Sequence, residues 1–334
     1  MKLFSGRPLY NAPVSRPVTP SYSESYLIMK ADMVWQIDFR TLEDIMFKPL
    51  DDFIRQQAWL DAAGGPLQAW INGLFSRGGK SGKKIKNLLN GTWLGHPLHP
   101  AITDVPIGAW VCTFVLDTVA GMSDSREMRT AADITLATGL AASIGAAGTG
   151  WTDWSDTYGK ERNVGLLHGL TMATAVATYT AALLARLAGA RRAGVMLANT
   201  GLAVASAGAY LGGDEVYDLG YPVNRTAYHE GPSDFVPVLA ESELQPDKPT
   251  KVNADGRPVM LVKQGGQVFA LDDTCVHAGC SLSGGSIEGR SIVCPCHGSQ
   301  YELDSGAVIN GPATRSEPTL NVRLRNGMIE VKGE

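Results

Sequence analysis

Cys275-Val276-His277-Ala278-Gly279-Cys280 and, with sixteen residues between His277 and its first cysteine, Cys294-Pro295-Cys296-His297-Gly298-Ser299 decide how the C-terminal third of this 334-residue chain is read. Two thiolates and two imidazoles, each pair on its own short loop, are the donor set of a [2Fe–2S] centre in which two histidines replace two cysteines on one iron. A Cys-x-His with a Cys-x-x-His also suits a tetrahedral structural zinc. The surroundings favour the cluster: Gly279, Gly284, Gly285, Gly298, Gly306 and Gly311 crowd the region, as needed where backbone approaches sulfides closely. Cys280 and Cys296 are left over, one per box, which suits a disulfide tying the loops together. Zinc would use four of these six positions, the cluster reading all six. Covalent haem attachment is excluded, because no Cys-x-x-Cys-His occurs.

On these boxes the chain, over about 233–333, resembles the Rieske iron–sulfur protein family. The resemblance implies that Cys275 and Cys294 bind one iron and His277 and His297 the other, with Cys280 and Cys296 joined as the cluster-side disulfide. It also implies that Ser299 and Tyr301, at the offsets used by high-potential members, donate hydrogen bonds to sulfur and favour the reduced cluster. Gly311-Pro312-Ala313 matches the family's glycine–proline loop. Low-potential members attached to oxygenases usually lack the cysteine pair and often the hydroxyl pair. Because this chain keeps both, the upper part of the Rieske range, roughly −150 to +300 mV, is expected.

The middle of the chain is apolar. Val105–Met122, Thr130–Thr149, Val164–Ala188 and Gly194–Leu211 are each about long enough to cross a bilayer. They are rich in glycine, alanine, serine and threonine, which let helices approach closely in lipid. A soluble alanine-rich bundle would need charges on its outer faces, and these stretches have almost none. Gly91-Thr92-Trp93-Leu94-Gly95-His96-Pro97-Leu98-His99-Pro100, Asp104 to Trp110, Trp151 to Trp154 and Gly165 to His168 together resemble a bacterial four-helix membrane domain of unknown function, often fused to a Rieske domain.

Four crossings place His96, His99, Asp104, Asp153, Trp154 and His168 on one membrane face, with the exit to the cluster domain. His168, Thr171, Thr174 and Thr178 share one helix side and are expected to point into the bundle. Asp117, Asp133 and His168 require partners or a ligand. Three readings of the histidines stand side by side. His168 with His96 or His99 could ligate a haem b iron; His168 with Asp153 could bind a quinone headgroup; or the histidines satisfy neighbouring carbonyls and cap a helix. His229 reads as an exposed bystander, and His96, His99 and Asp104 make a weak set for an oxygenase iron.

The expected organisation is an N-terminal extension at 1–95, a four-helix transmembrane domain at 96–212, a linker at 213–234 and the cluster domain at 235–334. The fold class is thus multi-domain, an all-α transmembrane four-helix bundle followed by an all-β Rieske iron–sulfur domain. Residues 1–25 read as disordered. Phe39–Trp59 and Leu67–Leu89 have helical apolar spacing, and Arg77, Lys80, Lys83, Lys84 and Lys86 make the second an interfacial helix on anionic lipid, unless Gly78, Gly79 and Gly82 break it. The linker reads as a flexible coil that lets the cluster travel. Strands are expected at Phe235–Leu239, Val259–Val262, Val268–Leu271, Ile292–Val293 and Val322–Val331.

A formal charge of −4 and the lack of a basic stripe beside aromatic residues exclude a nucleic-acid partner. The expected partners are a lipid bilayer and either a redox protein or a quinol. The chain is expected in a bacterial inner membrane with several crossings. No apolar leader follows Met1, which points to a cytoplasmic cluster domain, although a stable disulfide favours an oxidising compartment. An electron-transfer role follows, with a donor or acceptor docking at exposed histidines. A ferredoxin-like donor to a separate oxygenase and a membrane-tethered redox sensor are the alternatives.

Overall fold

The computed structural model describes residues 57–333. The reading of 1–25 and most of the Phe39–Trp59 segment lie outside the described residues. Two helices come first, α1 (Ala58–Arg77) and α2 (Gly79–Asn90). The glycines separate them: Gly79 takes a φ of +52°, and Gly91, at +85°, closes α2 through its N–H to the Asn87 carbonyl. The segment is therefore a helical elbow. It does not simply lie on lipid, because Lys86 turns inward to Asp156 at 2.7 Å.

Four long helices follow, α3 (Leu98–Ser123), α4 (Arg126–Trp154), α5 (Gly159–Leu187) and α6 (Arg191–Tyr217). All four are long and apolar enough to cross a membrane by length and composition. Each outruns the apolar stretch read from the sequence, because helical hydrogen bonding carries on through polar end turns. Ser125 caps α4 by accepting the Met128 N–H, and Gly189 at φ +80° stops α5. The bundle is apolar on its outside, where Val111, Val115, Ile134, Ile144, Leu184 and Met196 are exposed. Thr174 lies exposed on that outer side and Thr178 is only half-buried, contrary to the expected inward stripe. Each hydroxyl donates to the carbonyl four residues back, which removes the need for a core partner.

The interior repeats. Buried Pro106, Trp110, Thr113 and Asp117 of α3 recur 69 positions later as Ala175, Tyr179, Ala182 and Arg186 of α5. Ala132, Leu136, Gly139, Ser143, Ala146 and Thr149 of α4 recur 62 positions later as Gly194, Ala198, Gly201, Ala205, Gly208 and Leu211 of α6. Two helical hairpins thus face each other across a pseudo-two-fold axis, and equivalent residues meet on it. Trp110 stacks on Tyr179 with ring centres 4.3 Å apart, and Arg186 pairs with Asp117. Arg191 and Asp133 complete that ion network, which supplies the partners that buried Asp117 and half-buried Asp133 require.

The remainder is β-structure: β1 (Val236–Ala240), β2 (Thr250–Ala254), β3 (Arg257–Gln264), β4 (Gln267–Asp272), β5 (Ser286–Ile287), β6 (Ser291–Val293), β7 (Gln300–Glu302), β8 (Val308–Asn310), β9 (Leu320–Arg325) and β10 (Met328–Gly333). They form sheets ordered β1-β10-β9, β2-β3-β4 and β5-β6-β7-β8. Strand β3 lies between two cores, because alternate residues face opposite sides. Met260 and Val262 pack with Phe269, Leu271 and Tyr301; Val259 and Leu261 pack with Leu320, Ile329 and Val331. The expected strand Val322–Val331 is instead a hairpin. Asn326 and Gly327, both at positive φ, turn the chain between β9 and β10.

Candidate metal centre

The first box follows β4 and the second joins β6 to β7. Matching backbone bonds fold both: Gly279 N–H donates to the Cys275 carbonyl, and Gly298 N–H donates to that of Cys294. Gly279 and Gly298, each four residues past its cysteine, have φ of +81° and +76°, a conformation that favours glycine. The Cys280–Cys296 disulfide ties the loops together.

The fold brings the four expected ligands together. Cys275 and Cys294 are free and buried, and their side chains contact one another. The His277 and His297 rings lie 4.8 Å apart, nearly perpendicular. Both Nδ1 atoms are buried with no hydrogen-bond partner, which is costly unless they bind something else. Burial lowers the His277 pKa to about 3 and that of His297 to about 4, so both rings are neutral and keep a lone pair. The Cys275 thiol donates to Cys294, which, with the backbone N–H groups of Cys296 and His297, lowers the Cys294 pKa. The same bond and burial push Cys275 up. Two soft sulfurs and two imidazoles fit a [2Fe–2S] group shared as two pairs.

Polar groups back the donors. Tyr301 Oη lies 3.1 Å from Cys275 Sγ, and Ser299 Oγ accepts the Ala313 N–H while contacting Tyr301. Glu317 was not singled out from the sequence. It accepts the Val276 N–H at 3.0 Å, and burial raises its pKa to about 9. Its position 40 residues beyond His277 gives no local signal.

The histidines are not exposed as expected. Tyr158, in the turn between α4 and α5, stacks on His297 with ring centres 4.4 Å apart; Tyr221, just beyond α6, meets His277 edge-on at 5.3 Å. His277 is only 6% exposed as a result. The linker is bound, not a free coil. Arg225 N–H donates to the Val276 carbonyl, and Tyr221 Oη donates to that of Asp153. His229 is no bystander either: its Nδ1 lies 2.7 Å from Asp272, which also holds Arg257. From the other side, Asn87 of α2 accepts the Gly311 N–H and donates to Asn310.

The membrane-domain candidates separate. His99, His168 and Asp153 line one cavity of about 300 Å³ in the bundle, next to Tyr221. His96 lies apart, in a cleft with Pro222, His277 and Pro312, while Asp104 is exposed.

A family model described as the Rieske [2Fe–2S] domain matches residues 234–324, and one described as a predicted membrane protein (DUF2231) matches 95–225. The ferredoxin CarAc of Metapseudomonas resinovorans is 34% identical over 101 residues, covering 30% of this chain and 94% of that protein. The cytochrome b6-f complex iron–sulfur subunit of Prochlorococcus marinus is 31% identical over 118 residues, 34% of this chain and 59% of its own length. Among solved structures, the ferredoxin of carbazole 1,9a-dioxygenase from Nocardioides aromaticivorans is 29% identical. It covers 30% of this chain and all of that one, with a TM-score of 0.30.

Proposed function

The chain belongs to the Rieske [2Fe–2S] family, and from that premise we propose that it is a membrane-anchored electron carrier whose cluster exchanges electrons at the end of its own helical bundle. Cys275 and Cys294 hold one iron and His277 and His297, through Nδ1, the other. Bound there, the cluster supplies one-electron storage, at a potential raised by neutral imidazole ligands. The chain's own residues do the rest. The disulfide fixes the spacing of the loops, and Tyr301 donates toward Cys275 sulfur. Tyr158 and Tyr221 keep bulk water from the imidazoles.

One observation carries this reading: the two imidazoles are seated on bundle residues. A carrier that docks on a soluble oxygenase needs those edges free, whereas one served from the membrane does not. The apolar outer face of α3–α6 and the match to a predicted membrane-protein family support anchoring in a bilayer, and the bacterial sources of the relatives favour a bacterial one. Quinol from that bilayer is the donor we favour. The redox-sensor alternative has no observation in its favour.

The likeness to dioxygenase ferredoxins favours a second reading, in which the chain donates electrons to a separate oxygenase. A redox titration of the purified full chain, followed by paramagnetic resonance, separates the two. A one-electron signal with a midpoint in the upper Rieske range is expected. A strongly negative midpoint would remove quinol oxidation, and stoichiometric zinc without iron or acid-labile sulfide would remove both readings.

A further inference from the structure

The bundle cavity has a construction that the cluster domain does not explain. His99 on α3 and His168 on α5 are pseudo-two-fold equivalents on diagonally opposed helices. Each ring is held alike. His99 Nδ1 donates to the Ala146 carbonyl at 2.9 Å, and His168 Nδ1 to the Gly208 carbonyl at 2.7 Å, again equivalent positions. Because a carbonyl only accepts, both rings carry their proton on Nδ1, and each Nε2 keeps its lone pair. A glycine lies against each ring. A Cβ on Gly150 would come 2.7 Å from His99 Cε1, and one on Gly212 would come 3.1 Å from His168 Cε1.

The spacing selects the ligand. The ring centres are 6.2 Å apart. Two imidazoles trans on one metal, at the usual ~2.0 Å metal–nitrogen distance, also place their ring centres about 6 Å apart. A para-quinone gripped at both oxygens would set the two nitrogens roughly 11 Å apart at ordinary hydrogen-bond lengths, farther than these rings reach. A bare ion would need further protein donors, and no group of three gathers among the described residues. The walls are instead apolar and aromatic, with Ile107, Trp110, Met172 and Val176 among them. Two protein nitrogens in an apolar slot suit a metal that brings its own four equatorial ligands.

We propose that the cavity between His99 and His168 is a haem b site, with the two Nε2 atoms as axial ligands. It lies one aromatic ring, Tyr221, from His277. The proposal rests on the electron-transfer reading only for its redox partner, so its test records haem and cluster separately.

The full chain, purified in mild detergent, is titrated with haemin and examined by optical and paramagnetic-resonance spectroscopy. One haem per chain with a low-spin bis-imidazole spectrum is expected. His99→Ala and His168→Ala should each weaken binding at least tenfold and abolish that spectrum, while His96→Ala leaves it unchanged. The cluster signal in the same samples reports folding. His168→Met retains a ligand and should retain haem with a higher midpoint. Haem binding of unchanged strength and spectrum in both alanine variants overturns the proposal. So does the absence of one-to-one binding, or a quinone bound in the cavity. Loss of the cluster with haem retained would sink the cluster reading and leave this site standing.

Discussion

Tyr301 and Glu317 set conditions around the two cysteine/histidine turns that substitution can read directly. Tyr301→Phe removes a hydroxyl 3.1 Å from Cys275 sulfur. A net hydrogen bond is worth about 1 kcal/mol, or about 40 mV for a one-electron couple. The midpoint should therefore fall by tens of millivolts in a redox titration, with the cluster retained. Glu317 titrates in the opposite sense to a surface carboxylate. Its pKa rises on folding from 4.5 to about 9, so the folded state binds the extra proton. The stability it contributes is complete below about pH 4.5 and lost as pH climbs through 9. Heating the full chain while following visible absorbance should show a midpoint that falls between pH 6 and 9. Glu317→Gln keeps an acceptor for the Val276 N–H and should flatten that fall. At this scale the sequence was informative where spacing is local. The boxes, Ser299 and Tyr301 lie within 27 residues and could be read as a unit. Glu317 and the covering tyrosines reach the same place through tertiary folding, which no spacing announces.

Elements were legible to the extent that their period was strong. The four long helices and the strands β1, β3, β4 and β6 stood out by apolar patterning. Strands β2, β5, β7 and β8 are short or polar and carry no such pattern, and the Asn326-Gly327 turn divides Val322–Val331. Threonine misled because its hydroxyl satisfies itself against its own helix, so Thr174 and Thr178 look like core polar residues and are not. The internal repeat was visible in principle, since His99, Trp110 and Asp117 have the same spacing as His168, Tyr179 and Arg186. The side chains differ, however, and composition conceals it. Two predictions belong here. Gln68 of α1 donates to the Trp154 and Thr157 carbonyls, so Gln68→Ala should cost about 1–3 kcal/mol by removing two buried hydrogen bonds, measured by thermal unfolding. Arg186→Leu removes one of the two guanidinium partners of buried Asp117 and, with Arg191 still paired to it, should cost about 1.5–3 kcal/mol. The double variant Asp117→Leu/Arg186→Leu should recover most of it, because an apolar pair needs no compensation.

For the whole molecule, an even number of long helices returns the chain to the face it started from. Helix α2 and the cluster domain touch through Asn87 and Gly311, which requires that same face. Cysteines introduced at Lys80 and Arg325 should react with a membrane-impermeant thiol reagent from one side of sealed vesicles. Cysteines at Ser123, the last residue of α3, and Ala190, in the turn before α6, should react from the other. Labelling of all four from one side would refute the four-crossing arrangement.

The contact between Asp117 and Arg186 also bears on how such a bundle could arise. These two positions correspond across the axis, and in an assembly of two identical hairpins they would carry the same side chain. Acid would face acid, or base would face base, in an apolar interior. The attraction seen here is open only to halves that have become successive stretches of one polypeptide, free to change independently. Two halves joined end to end in one polypeptide thus allow a bond that exact symmetry forbids, between Asp117 of one half and Arg186 of the other.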